Sequence, residues 1–180
     1  ALNDWVKDNL ENLAMDGISV YCVTGMNKQS SGVVQLPDNS GNTITSRFVP
    51  FTDQMEVLLS SANLVISRAG AGSLAEIVKC RVPVIMIPYP YAADNHQSYN
   101  ASYIESKGGG VVCPQSLIAE KLLGEVRELM FNEDFRGLIR RNLFSMDPGD
   151  VSLRFAQEIL QSITTANATS NHRGFGEVFA

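Results

Sequence analysis

Cysteine is scarce in this 180-residue chain: Cys22, Cys80 and Cys113 stand far apart and form no C-x-x-C pair. That spacing indicates neither a disulfide framework nor a zinc site, so free buried thiols in a reducing compartment are expected and no metal or cofactor is called for. Basic residues are also outnumbered, 14 Lys and Arg against 19 Asp and Glu for a net charge of -5. A chain that grips a nucleic-acid backbone usually carries the opposite balance on at least one face, so nucleic acid is excluded as a partner. No apolar run approaches the roughly 18 to 20 residues of a membrane span, and the N-terminus lacks the basic-then-apolar pattern of a leader. The expectation is a soluble chain. There is no internal repeat. The triplets Asn100-Ala101-Ser102 and Asn167-Ala168-Thr169 fit the glycosylation pattern in form, but nothing else points to secretion. An initiator Met is missing too, and the chain enters a helical pattern almost at Ala1, as a fragment of a longer protein would.

What is present is one domain's length of chain with 44% hydrophobic residues, enough to bury a core. Leu2, Val6, Leu10 and Leu13 recur at helical spacing, and Ile18 to Gly25 reads as a buried strand ending in glycine. Residues 27–42 hold Gly32, Pro37 and Gly41 and read mostly as loop, with one short strand at most around Val33 to Leu36. A strand over Ile44 to Val49 leads through Pro50-Phe51-Thr52-Asp53 into a helix from about Gln54 to Ala62, with Thr52 or Asp53 placed to accept its free amides. Strand and helix then alternate: Leu64 to Ser67, Ser73 to Lys79, Val82 to Ile87, Asn95 to Ser106, and a short strand at Val111 to Cys113. Helical segments follow at about 116–131, 134–143 and 151–163, the last with an apolar set of Leu153, Phe155, Ile159, Leu160 and Ile163. This order predicts an α/β fold, a Rossmann-like parallel sheet flanked by helices. The domain is expected over residues 1–163, with 164–180 a loose polar tail.

The turn Ser67-Arg68-Ala69-Gly70-Ala71-Gly72-Ser73-Leu74-Ala75-Glu76 lies where a buried strand gives way to a helix. In parallel α/β sheets ligands bind beyond the carboxyl ends of strands. Gly70 and Gly72 let a ligand approach the backbone, and a helix N-terminus offers free N–H groups and partial positive charge to a diphosphate. Glu76, one turn beyond Ser73, has a carboxylate able to accept from both hydroxyls of a ribose. Against this, Ser73-x-x-Glu76 is also a capping box, and on the local pattern alone both readings stand. The lenient fingerprint Gly70-x-Gly72-x-x-Ala75 with Asp94 downstream fits a dinucleotide fold poorly. At least two strands precede it, and Asp94 follows a loop containing Pro88 and Pro90 instead of ending a strand.

A second cluster, Asp94-Asn95-His96-Gln97, follows the strand Val82 to Ile87 and offers the hydrogen-bonding groups that a multiply hydroxylated sugar requires. Its plain alternative is a helix cap by Asp94. Two such clusters on successive strand-to-helix turns would share one rim of the sheet and favour a common pocket. The backbone around Phe51 and Thr52 is a third, weaker candidate, for a base edge.

Taken together, Val49-Pro50-Phe51-Thr52-Asp53-Gln54-Met55, then Ala62 through Glu76, then Ile87-Pro88 and Asp94-Asn95-His96-Gln97-x-x-Asn100-Ala101 resemble, in order and spacing, the C-terminal domain of the MurG family. These are N-acetylglucosaminyltransferases of the GT-B fold that convert lipid I to lipid II in peptidoglycan synthesis. The resemblance runs over about residues 15–160. It implies that Thr52 contacts uracil through its backbone, that Gly72 and Ser73 line the nucleotide and diphosphate with Arg68 and Gly70 in the same turn, and that Glu76 holds the ribose. Asp94, His96 and Gln97 would face the sugar. Gln97 matches the second member of a Gln-Gln pair in the family, and His96 departs from the first. The implied donor is UDP-N-acetylglucosamine, with a lipid-linked acceptor bound by an N-terminal domain that this sequence does not include. The catalytic base, an N-terminal histidine in the family, has no counterpart here. The site of action would be the cytoplasm or the cytoplasmic face of the membrane, or a plastid if the source is eukaryotic, with membrane contact made only by the full-length protein.

The resemblance also implies a strand with a glycine-rich loop ahead of residues 2–13. In the usual order that strand is central, so a sheet built from this chain is expected to lack its middle member. Alone, the chain is expected to be inactive. Three alternatives share the motifs or the length: the donor-binding subunit of a two-chain dolichol-linked GlcNAc transferase, a plastid galactolipid synthase, and a non-catalytic nucleotide-binding module.

Overall fold

The computed structural model describes residues 2–26, 31–149 and 155–163. Contacts divide the chain into two units, one ending at Met146 and the other beginning at Asp147. Among the described residues the first unit carries all the strands. Its helices are α1 (Leu2–Asp8), α2 (Leu10–Met15), α3 (Met55–Ser61), α4 (Ala71–Cys80), α5 (His96–Ser106), α6 (Ile118–Phe131) and α7 (Glu133–Met146). Its strands are β1 (Tyr21–Val23), β2 (Gly32–Pro37), β3 (Thr43–Val49), β4 (Val65–Ser67), β5 (Val84–Met86) and β6 (Val111–Val112).

The opening heptad-like pattern produces two helices instead of one. The break falls at Asn9 (φ -108°, ψ 6°), whose side-chain amide donates to the Trp5 carbonyl at 2.9 Å. The apolar stripe survives it, since Val6, Leu10 and Leu13 all remain buried.

The strands form two three-stranded sheets, β1-β3-β2 and β4-β5-β6. Among the described residues β1, β2, β4 and β6 each pair on one side only, and β3 and β5 are the central strands. All pairs are parallel except β2 with β3, which run antiparallel from Gly32↔Phe48 to Pro37↔Thr43. The short strand expected around Val33 to Leu36 is β2, one residue longer at each end, and it pairs as a hairpin with β3. The alternation along β2 is faint because the strand is largely exposed, so its register comes from the turn. There Asp38 Oδ1 accepts from the amides of Ser40 and Asn42, both at 2.8 Å, Oδ2 accepts from the Asn42 side chain at 2.9 Å, and Gly41 takes φ +83°. Those bonds hold the Asp38 carboxyl below its ordinary pKa.

The near-continuous apolar run Val82 to Ile87 becomes the central strand of the second sheet. Val84, Ile85, Met86 and Ile87 are all fully buried, as a parallel strand covered on both faces requires. Helix α6 lays Ile118, Leu122, Val126 and Leu129 against the core, and α7 adds Ile139 and Leu143. Truncating Leu122, with 0% of its surface exposed, to alanine is expected to cost about 2–5 kcal/mol, read as a lowered thermal midpoint.

Glycine punctuates the α5–β6 join. Gly108 (φ +67°) ends α5, with Gly109 N–H bonded back to Ile104 O at 2.9 Å. Gly110 packs directly on β5, where a Cβ would sit 2.7 Å from the Val84 carbonyl oxygen.

Cys113 is buried, and Cys22 and Cys80 are half-buried rather than fully enclosed. Burial raises the Cys22 and Cys113 thiols above their ordinary pKa. In the second unit the helix over 155–163 leaves Phe155, Ile159, Leu160 and Ile163 exposed. Leu153 and the tail at 164–180 lie outside the described residues.

Candidate functional site

Parallel pairing of Ser67 with Met86 sets the carboxyl ends of β4 and β5 side by side. The glycine-rich turn and the loop after β5 therefore begin on one rim.

In the turn, Gly70 (φ -68°, ψ 140°) is the N-cap of α4 and supplies no side chain to cap it. Leu74 N–H is bonded to Gly70 O at 3.0 Å. The amides of Ala71, Gly72 and Ser73 precede that first helical bond and form the unfilled end of the helix. A capping box would need Ser73 at the N-cap. It stands instead as the third residue of α4, which removes that reading. Neither Gly70 nor Gly72 has a positive φ, and a Cβ built on either meets no atom within 4 Å. The fold itself does not ask for glycine at these places. Ser73 and Glu76 are exposed, and their spacing puts them on one face of α4.

Charge at the helix starts follows the same division. Helices α1, α2, α3, α6 and α7 each place an acidic residue in the first turn, whereas α4 and α5 place none. Acidic side chains there ordinarily answer the helix dipole. The two helices that open from the rim leave it unanswered within their own first turns.

In the second loop Asp94 (φ 48°) and Asn95 (φ 54°) are both left-handed, within the 3₁₀ turn Ala93–Asn95. This corrects the cap reading for Asp94. Asn95 is the N-cap of α5, and its Oδ1 accepts from Ser98 Oγ at 2.7 Å. The Asp94 side chain is exposed. His96 Nδ1 lies 2.6 Å from the Ala93 carbonyl. A carbonyl only accepts, so Nδ1 carries a proton, and in that tautomer Nε2 is the acceptor. Gln97 Oε1 accepts from Tyr89 N–H at 2.9 Å, which leaves its amide nitrogen to donate. His96 and Gln97 thus offer an acceptor and a donor on neighbouring residues.

Two side chains join the loops. Arg68 Nη1 donates to the carbonyls of Ile87 at 3.2 Å and Pro88 at 3.4 Å, and its guanidinium lies 5.4 Å from the Tyr89 ring centroid. Burial pulls its pKa below the ordinary value, though a guanidinium stays cationic at any working pH. In return, Asn100 Nδ2 donates to Ala69 O at 3.1 Å. Asn100 carries no role in the sequence reading. Its place one turn beyond Gln97, on the same face of α5, is the local signal that marks it.

Thr52 follows β3 in the other sheet. Its Oγ1 accepts from Gln54 N–H at 3.1 Å, closing the loop one residue before the body of α3. Among the described residues no hydrogen bond joins Thr52 to the other two loops. A cavity of about 730 Å³ at the α6–α7 corner, lined by residues such as Arg127, Glu128 and Asp134, includes none of the rim residues. No group of three or more metal-ligating side chains occurs among the described residues, and none of the described helices is long and apolar enough to cross a membrane.

Residues 1–143 match the glycosyltransferase family 28 C-terminal domain. The chain is 40% identical over 173 residues to the UDP-N-acetylglucosamine--N-acetylmuramyl-(pentapeptide) pyrophosphoryl-undecaprenol N-acetylglucosamine transferase of Opitutus terrae, covering 96% of this chain and 45% of that protein. The identically named protein of Trichodesmium erythraeum is 52% identical over 131 residues, or 72% of this chain and 33% of its own. The present chain therefore spans half or less of these relatives. Among solved structures, Acinetobacter baumannii MurG superposes with a TM-score of 0.69 at 20% identity, over 89% of this chain and 45% of that one. The glycosyltransferase VinC gives 0.58 at 16% identity, over 79% and 41%. These superpositions place the mixed α/β sheet and its flanking helices in the GT-B fold. By the extent of the match and the identity to its relatives, the chain belongs to the glycosyltransferase family 28 C-terminal domain family.

Proposed function

We propose that this chain is the donor-binding half of a transferase that moves N-acetylglucosamine from UDP-N-acetylglucosamine to a lipid-linked acceptor, converting lipid I to lipid II in peptidoglycan synthesis. The observation that carries the reading is the uncapped start of α4, where free amides lie beneath two glycines that the fold does not require. A diphosphate supplies the acceptors and the negative charge that such a helix end lacks.

In this reading Gly70, Gly72 and Ser73 receive the diphosphate, and Glu76 accepts from the ribose hydroxyls. The backbone near Thr52 meets uracil. Gln97 donates to a sugar oxygen, His96 accepts from a sugar hydroxyl through Nε2, and Asp94 supplies a further acceptor at the same loop. Arg68 belongs to the same cradle. As the acceptor oxygen attacks the anomeric carbon with inversion, charge builds on the departing UDP, and the α4 amides stabilise it there without reorganising. The acceptor and the general base belong to the N-terminal domain, so this half holds the donor and does not turn over alone. The relatives are named for an undecaprenol-linked substrate, which supports a whole protein working at the cytoplasmic face of the membrane.

Isothermal calorimetry with UDP on the whole protein tests the assignment. Binding is expected, and Glu76→Ala should weaken it by about tenfold, the usual loss for hydrogen bonds to a charged group. Absence of UDP binding, or full affinity in Glu76→Ala, would overturn the donor-site reading.

A further inference from the structure

We propose that Arg68 and Asn100 are positioning residues that tie the two rim loops into one rigid cradle, and that Arg68 acts on the sugar end of the donor through the backbone it holds. The inference rests on the donor-site reading above and assigns Arg68 a narrower part within it.

The ties run in opposite directions. Arg68 leaves the first loop and reaches the Ile87 and Pro88 carbonyls at the root of the second. Asn100 leaves the helix that follows the second loop and reaches Ala69 O in the first. Pro88 adjoins Tyr89, whose N–H fixes Gln97 Oε1 at 2.9 Å and whose ring lies beneath the Arg68 guanidinium. A chain of contacts thus leads from Arg68 through the Pro88–Tyr89 backbone to the Gln97 amide. Ala69, the acceptor for Asn100, has 0% of its surface exposed, so an unmet carbonyl there would be costly. Nη1 is shared between two carbonyls and the guanidinium faces an aromatic ring, so the group is turned toward protein, whereas a phosphate ligand would turn its fork outward.

The experiment measures UDP and UDP-N-acetylglucosamine binding to the whole protein and to Arg68→Ala, Arg68→Lys, Asn100→Ala, Gln97→Ala and Arg68→Ala/Gln97→Ala. Thermal unfolding is recorded on each sample. Arg68→Ala is expected to lower affinity for the nucleotide sugar by about tenfold while changing that for UDP by less than about twofold, whereas Asn100→Ala, which frees Ala69 O beside the diphosphate turn, should weaken both ligands alike. The double variant should bind the sugar no more weakly than Gln97→Ala, because Arg68 works through Gln97. Arg68→Lys should keep UDP affinity without restoring the sugar's contribution, since an ammonium lacks the flat face that rests on Tyr89. If Arg68→Ala does not fold, Arg68→Lys carries the test.

Equal loss of UDP and UDP-sugar affinity in Arg68→Ala, rescued by lysine, would make Arg68 a direct phosphate ligand and overturn the proposal. Additive losses with Gln97→Ala would overturn it as well, as would wild-type protein that binds the two ligands equally. Wild-type protein that binds neither ligand removes the donor-site reading itself, and the inference with it.

Discussion

Replacing Gly72 with aspartate is expected to leave the fold as stable as before or more so, and to abolish UDP binding in the same protein. Gly72 is the second residue of α4, no atom lies within 4 Å of where its Cβ would stand, and its φ is not in the left-handed region. The first turn of α4 has no acidic residue. A carboxylate there meets the positive end of the helix and contributes roughly 0.3–1 kcal/mol, while losing a helical glycine removes a further small cost. A bound diphosphate reverses the sign. Like charges about 4 Å apart near a protein surface repel by about 4 kcal/mol, which is roughly a thousandfold in affinity. Gly72→Ala separates bulk from charge and should show a smaller loss. The check is a paired measurement, thermal midpoint and calorimetric Kd. A Gly72→Asp protein that keeps its UDP affinity places the nucleotide elsewhere; one that unfolds shows that the glycine serves the scaffold.

Gly110→Ala is expected to do the reverse, harming the fold without touching the rim. Its added Cβ would stand 2.7 Å from both Val84 Cγ1 and the Val84 carbonyl oxygen, and 3.3 Å from Met86 Cε. Side chains can turn aside; the backbone oxygen of a fully buried strand cannot. Relief requires β6 to move off β5, against the pairing of Ile85 with Val111 and Met86 with Val112. Overpacking of this kind costs about 1–3 kcal/mol, and at the upper end the thermal midpoint should fall by roughly 6–12 °C. Gly124→Ala is the control: it lies inside α6 with nothing within 4 Å of its Cβ, so it should stabilise by up to about 1 kcal/mol. An unchanged midpoint in Gly110→Ala would mean that β5 and β6 do not pack as described.

Strands are legible in this sequence where burial writes the pattern, and obscure where it does not. Val82 to Ile87 is apolar throughout because both faces of β5 are covered, and its position is plain. β2 is mostly exposed, so the better signal for it is the Asp38–Asn42 turn that sets its register, and hydropathy does not carry that signal. The glycine-rich turn is recognisable from its residues, but its meaning hangs on where the helix begins. Ser73 as N-cap makes a capping box; Gly70 as N-cap leaves three amides open, and the local sequence accommodates both. Asp94 marks the right helix start, yet its conformation does not follow from its type, since Asp caps helices readily and also tolerates φ > 0. The Arg68 and Asn100 ties span 19 to 31 residues, and only the pairing of β4 with β5 brings their ends together.

The left-handed pair at Asp94 and Asn95 bears on time as well as on shape. Two successive non-glycine residues at positive φ hold the loop after β5 in a form that few conformers share, set before any ligand arrives. On the donor-site proposal, a sugar docking against His96 and Gln97 has little backbone left to order, and the cost of ordering is what shortens the life of a complex. An Asn95→Gly substitution would relieve the strain and loosen the loop, and the change should be felt mainly in how quickly the donor leaves.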